Sequence, residues 1–152
     1  MRYMNKADLS DNASLRILRR PAEVRHELAQ LKKRHDAYLN RNFAVCGTGK
    51  SEHRDDFCLS EGVAVEMEIQ KKHTELDVAV NAAEALLQRL EVMRGIISYR
   101  NALVLRLRYL KNLAWKDVCI TLRREGFPST ERTVRNWHNA ALKQLDTLQK
   151  TQ

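Results

Sequence analysis

Between Thr130 and Lys143 the chain carries Glu131, Arg132, Arg135, Asn136, His138, Asn139 and Lys143, a set rich in the residue types that read nucleic acid. Arginine can donate two parallel hydrogen bonds to the O6 and N7 of guanine, and asparagine can pair in the same bidentate way with adenine. Lys143, further along, suits a phosphate. Val134, Trp137, Ala141 and Leu145 recur at intervals of three or four, so a helix through this stretch turns them to a core and leaves the polar set outward. Thr130 is the expected N-cap, its hydroxyl able to accept from the amide of Thr133 or a neighbour, with Ser129 a competing cap one residue earlier. For any one of these residues a solvated helix face is a sufficient account. Base-reading types clustered in the first turns after a cap favour contact with DNA.

A helix that reads DNA has to be held by others, and the residues before it supply two. From about Ile97 to Lys111, the apolar Leu103, Leu105, Leu107, Tyr109 and Leu110 alternate with Arg100, Arg106 and Arg108, which are expected outward or toward phosphate. Asn112 is the expected stop. A second helix starts near Ala114, with Trp115, Val118, Cys119 and Leu122 as its apolar face and Cys119 as a small buried hydrophobe. Gly126-Phe127-Pro128-Ser129 then breaks the pattern and supplies a turn. Three helices in a row, the last two joined by a short turn, is the layout of a helix-turn-helix, whose last helix enters a major groove by its N-terminal turns.

The remainder of the chain is also helical in period. Residues 1–13 are polar and expected to be flexible. Over 14–42, Ile17, Val24, Leu28, Leu31 and Tyr38 share a stripe, with His35 at a stripe position as a satisfied, partly buried residue. Ser14 is placed to cap this helix, and Pro21 is expected to kink or divide it. The mixture of Gly, Ser and charges over 43–61 reads as a loop. A long helix follows from Ser60 or Glu61 to Met93, with Val65, Ile69, Leu76, Val80, Ala83, Leu87 and Leu90 as a heptad seam. Its one gap is filled by Lys72 or His73. Gly95 ends that helix or bends it into the next. The expected fold is therefore all-α, an antiparallel helical hairpin over 14–95 followed by a three-helix helix-turn-helix domain over 96–152. A coiled-coil homodimer competes with the hairpin, and a hairpin that dimerises satisfies both.

Charge separates along the chain. The 152 residues carry a net +8; residues 1–42 hold ten basic against five acidic side chains, 60–95 four against seven, and 96–152 eleven against four. Helices of opposite charge favour pairing with each other over self-pairing, and a basic C-terminal third attracts polyanions through counterion release. No apolar run approaches the roughly 18 residues of a membrane span. The first residues lack the apolar core and cleavage site of a secretory signal, and three cysteines without framework spacing fit reduced thiols, so a cytoplasmic setting is expected.

Little else in the sequence suggests chemistry. Gly47-Thr48-Gly49-Lys50-Ser51 resembles the end of a phosphate loop, but the motif needs a glycine where Ala44 stands, so nucleotide binding is not expected. Cys46, His53 and Cys58 lack a close cysteine pair and a fourth ligand, so no metal is expected. Glu52, Asp55 and Asp56 read as solvated acids. No nucleophile–base constellation is visible, and neither catalysis nor a cofactor is expected.

The segments LRLRYLKNLAWKDVCITL and STERTVRNWHNAALKQL resemble the region-four module of bacterial sigma factors, and more closely its relatives in the RinA/ArpU group of phage-encoded transcriptional regulators. The shared pattern is an LRYL helix end, a short polar step, the opening Trp115-Lys116-Asp117, then S/T-E-R-T-V, an aromatic and A-L-x-x-L. Residues 97–145 carry it by motif and the rest by architecture only; LRREGFPSTE is longer and more basic than the usual turn. The resemblance implies base and phosphate contacts at Glu131, Arg132, Arg135, Asn136 and Asn139, contact with bacterial RNA polymerase, and activation of phage late genes. The expected function is thus a sequence-specific regulator whose partner is double-stranded DNA. The alternatives are a helical protein–protein adaptor, or a phage DNA-packaging recognition subunit, which would form a large ring.

Overall fold

The computed structural model of the chain describes residues 13–46 and 52–150, with side chains placed for 13–41 and 61–150. The described residues are helical apart from short connections, and no strand occurs among them. In chain order the elements are α1 (Ala13–Cys46), α2 (Glu52–Glu91), α3 (Ile96–Leu105), a π-helical turn (Arg106–Leu110), α4 (Trp115–Arg124) and α5 (Glu131–Lys150). The loop expected over 43–61 is largely helix: α1 extends through 43–46, and α2 already covers 52–61. The strong breakers of that stretch, Gly47, Gly49 and Ser51, fall at 47–51, outside the described residues. The flanks hold few residues that oppose helix extension. The side chains of Cys46, Glu52, His53, Asp55, Asp56 and Cys58 likewise lie outside the described set, as do 1–12.

Pro21 does not divide α1, which runs uninterrupted through it. The ring removes the amide that would have met the carbonyl of Ile17, and the surrounding packing holds the helix together. Leu15 and Leu18 are buried on one side of the proline and Val24 and Leu28 on the other. Ser14 lies inside the first turn and is buried, so it is not an exposed cap.

The chain forms two compact units, Glu23–Val78 and a composite unit in which the chain up to Ala22 joins Ala79–Gln152. This division falls within both long helices and not at 95/96, where the sequence suggests it. In the unit Glu23–Val78, Glu27 meets Lys72, His35 meets Glu66 at 3.6 Å and Tyr38 lies against Gly62, so partners ascend along α1 as they descend along α2. Lys72, not His73, fills the gap in the heptad seam. Its ammonium donates to Glu27 at 2.6 Å and to Glu75 at 3.0 Å, and these hydrogen bonds raise its pKa.

The composite unit holds two apolar clusters. One gathers Leu15 and Leu18 of α1, Ala83, Leu86, Leu87 and Leu90 of α2, Ala102 and Leu105 of α3, and Ala141, Leu142 and Leu145 of α5. The other joins Val104 and Leu107 to Val118 and Leu122 of α4 and Val134 of α5, edged by Trp115, Phe127 and Trp137. α5 thus enters one cluster by its first turns and the other by its later ones. Arg106, expected outward, is instead tied to α2: it meets Glu91 at 2.6 Å and Glu84 at 3.1 Å. Burial opposes its charge, but hydrogen bonds to Glu91 and Glu84 outweigh that and its pKa is raised.

Candidate nucleic-acid interface

α5 is started and aimed by its connections. α4 ends in a paired closure: the Phe127 amide donates to the Leu122 carbonyl at 2.8 Å and the Gly126 amide to that of Arg123 at 3.3 Å. That pattern needs a left-handed residue between, and Gly126 supplies it with φ +92°. Asn112 does the same after the π-helical turn, with φ +54°, as the sequence suggests for a stop. Thr130 caps α5. The Thr133 amide approaches its Oγ1 at 3.4 Å, while the competing Ser129 hydroxyl donates to the Phe127 carbonyl at 3.3 Å.

Glu131, Arg132, Arg135, Asn136 and Lys143 are exposed, and Asn139 is half-buried. At 3.6 residues per turn these six fall within an arc of roughly 140° on one side of α5. The Arg135 guanidinium donates to Glu131 at 3.2 Å; with both groups more than half exposed, the pair contributes only a few tenths of a kcal/mol and orients Arg135 more than it stabilises the helix.

His138 is not part of this outer face. It is 8 % exposed, stacked on Tyr109 with ring centroids 5.6 Å apart and edge-on to Trp115 at 5.1 Å. Its Nε2 lies 2.7 Å from the Tyr109 hydroxyl and its Nδ1 3.1 Å from the Asn139 Oδ1. The apolar spacing of the sequence points to Trp137 for the buried stripe. The packed stripe is Val134, His138, Ala141, Leu142 and Leu145, while Trp137 is only partly covered and carries the Arg100 guanidinium 4.0 Å over its ring. The spacing 134, 138, 141, 145 is as regular as the one through Trp137, but a histidine does not announce itself as core. Burial lowers the His138 pKa, and nearby Arg108 and Arg19 add to this against the Asn139 hydrogen bond.

Arg108 is also less free than expected. It donates to the Leu113 carbonyl at 2.8 Å and lies 4.7 Å over the Trp115 ring. Trp115 is therefore the common wall for Arg108, His138 and, at 5.5 Å, Arg135. Tyr109, Trp115 and Arg108 are the supporting residues that periodicity alone did not single out as a group. Cys119 is partly buried against the second cluster, and burial raises its thiol pKa. No cluster of His, Cys, Asp and Glu suited to a metal ion occurs among the described residues, and no described helix is long and apolar enough to cross a membrane. No protein-family model, curated protein or solved structure matches the chain.

Proposed function

We propose that the chain is a sequence-specific DNA-binding regulator in which α4, the turn and α5 act as a helix-turn-helix and the paired long helices act as a hairpin. The observation that carries this reading is the outer face of α5. Arg132, Arg135, Asn136 and Asn139 project from the first turns of a capped helix, Lys143 follows, and the opposite side of the helix is fixed in two apolar clusters. Side chains that read base edges need such a rigid base, because each degree of freedom lost on binding weakens the contact. Eleven basic against four acidic residues over 96–152 supply the attraction to phosphate. The resemblance to region four and to the RinA/ArpU regulators supports a promoter as the target, bacterial RNA polymerase as a second partner and late genes as the output.

Recovery of protein-bound fragments from sheared phage and host DNA at about 0.15 M salt, where non-specific binding is suppressed, tests this. The expected result is one enriched motif upstream of a gene block. Uniform recovery, or none, sinks the reading.

A protein-docking role has its own support. Val92, Ile96 and Ile97 are 84 %, 70 % and 52 % exposed in one short stretch from the end of α2 into the first turn of α3, with Tyr99 beside them. Apolar exposure of this kind fits a helical adaptor. Retention of DNA selection after Ile96→Ser and Ile97→Ser would separate that surface from DNA reading.

A further inference from the structure

The buried histidine joins the core of the composite unit to Asn139 on the outer face of α5, and its hydrogen bonds run in one direction. The Asn139 side-chain oxygen at its Nδ1 can only accept, so Nδ1 carries the proton and Nε2 is the acceptor. The Tyr109 hydroxyl lies 2.7 Å from His138 Nε2, where it donates. A neutral imidazole whose Nε2 accepts carries its proton on Nδ1. Nδ1 faces the Asn139 Oδ1 at 3.1 Å and donates to it. With Oδ1 held inward, the Asn139 amide has its NH2 group left for the outside.

We propose, on the reading of α5 as the DNA-contacting helix, that His138 is a positioning residue that locks the Asn139 amide with its donors outward and so makes Asn139 select a hydrogen-bond acceptor. The major-groove edge of guanine offers O6 and N7 and that of thymine offers O4, whereas cytosine offers only its N4 donor. Cytosine is therefore the base rejected at the position that Asn139 meets. Three features of the packing keep the relay in register. Tyr109 stacks on the imidazole, the Trp115 edge closes its side, and the ring is buried so that water does not compete for Nδ1. A free asparagine can turn its amide over and accept or donate as the base requires; one held by a buried donor cannot do so without losing that bond.

The first half of the test needs no DNA. In the 15N-labelled full chain at about pH 7.5, nitrogen-detected imidazole spectra are expected to show His138 with a protonated Nδ1 and a bare Nε2. Tyr109→Phe removes the donor to Nε2 and is expected to raise the population of the Nε2–H form that free histidine favours. A wild-type His138 protonated on Nε2 overturns the proposal outright.

The second half compares base preferences. Asn139→Ala identifies the position that Asn139 meets. There the wild type is expected to disfavour cytosine by roughly tenfold, the weight of one well-placed hydrogen bond. His138→Phe, which keeps the aromatic volume, is expected to bring that preference within about twofold while leaving the positions read by Arg132 and Arg135 unchanged. Tyr109→Phe should relax the same position in part. A His138→Phe variant that loses affinity equally on every sequence shows a merely structural role and overturns the proposal. A wild type with Nδ1 protonated but no base preference anywhere refutes the DNA-reading function, and the selectivity claim falls with it.

Discussion

Arg132 and Arg135 differ in what holds them, although both are exposed. Arg135 is oriented by Glu131 at 3.2 Å and lies 5.5 Å from the Trp115 ring, while no such contact among the described residues orders Arg132. If both read bases, Arg132→Ala and Arg135→Ala each cost about 1–3 kcal/mol on the selected site and relax specificity at one position. Competition binding against single-base variants of that site checks this, and an equal loss on all variants would mean that they hold phosphates. His138 makes a different prediction. Burial depresses its folded pKa below the unfolded value near 6.5, so the unfolded chain takes up the proton that the fold refuses. Its contribution to stability is complete above that unfolded value and declines as pH falls through it, levelling off below the folded pKa. Urea unfolding at pH 7.5 and 5.5 should show the wild type losing more stability on acidification than His138→Phe. An identical loss in both proteins would remove His138 from the account.

At the scale of elements, two contacts fix where the outer face of α5 lies. The Thr130 cap satisfies an amide that has no intrahelical partner, and Thr130→Ala is expected to cost about 1 kcal/mol. Arg106 joins the π-helical turn to α2 through Glu84 and Glu91; Arg106→Ala leaves two carboxylates without their partner and is expected to cost about 1–2 kcal/mol. Thermal unfolding of both variants measures these losses, and shifts within error would mean that water replaces the contacts at no cost. In the unit Glu23–Val78, Gly62 lies in mid-helix, and a Cβ there would lie 3.4 Å from Tyr38 Cε1, at the near edge of ordinary contact. Gly62→Ala is therefore expected to stabilise by about 0.5–1 kcal/mol, the difference in helix propensity. Destabilisation would show that the Tyr38 ring cannot yield.

Across the whole molecule, charge and apolar exposure set what the chain meets. If the chain binds DNA as proposed, the basic residues of 96–152 make that affinity salt-dependent, and Lys143→Ala is expected to lower the slope of log affinity against log salt by about one while weakening all sequences alike. Titration of binding across a salt series measures it; an unchanged slope means that Lys143 touches no phosphate. The partition into two units through the middle of α1 and α2 also means that the first turns of α1 stand in the same core as α5. Leu15 and Leu18 are packed in one cluster with Ala141, Leu142 and Leu145.

The sequence by itself determined the helical class, the start of α5 at Thr130, the stop at Asn112, the turn at Gly126 and the outward set Glu131, Arg132, Arg135, Asn136 and Lys143. Those follow from local rules: 3.6-residue periodicity, a hydroxyl that completes a cap, and residues that accept positive φ. Tertiary structure decided what local rules leave degenerate. Val134 can begin a stripe through Trp137 or through His138, and only the rings of Tyr109 and Trp115 brought against α5 choose the histidine. Arg106 and Arg108 look like phosphate binders until Glu84, Glu91 and the Leu113 carbonyl are brought within reach. Burial and pairing depend on partners distant along the chain, so a polar residue declares its role only once the fold has placed them.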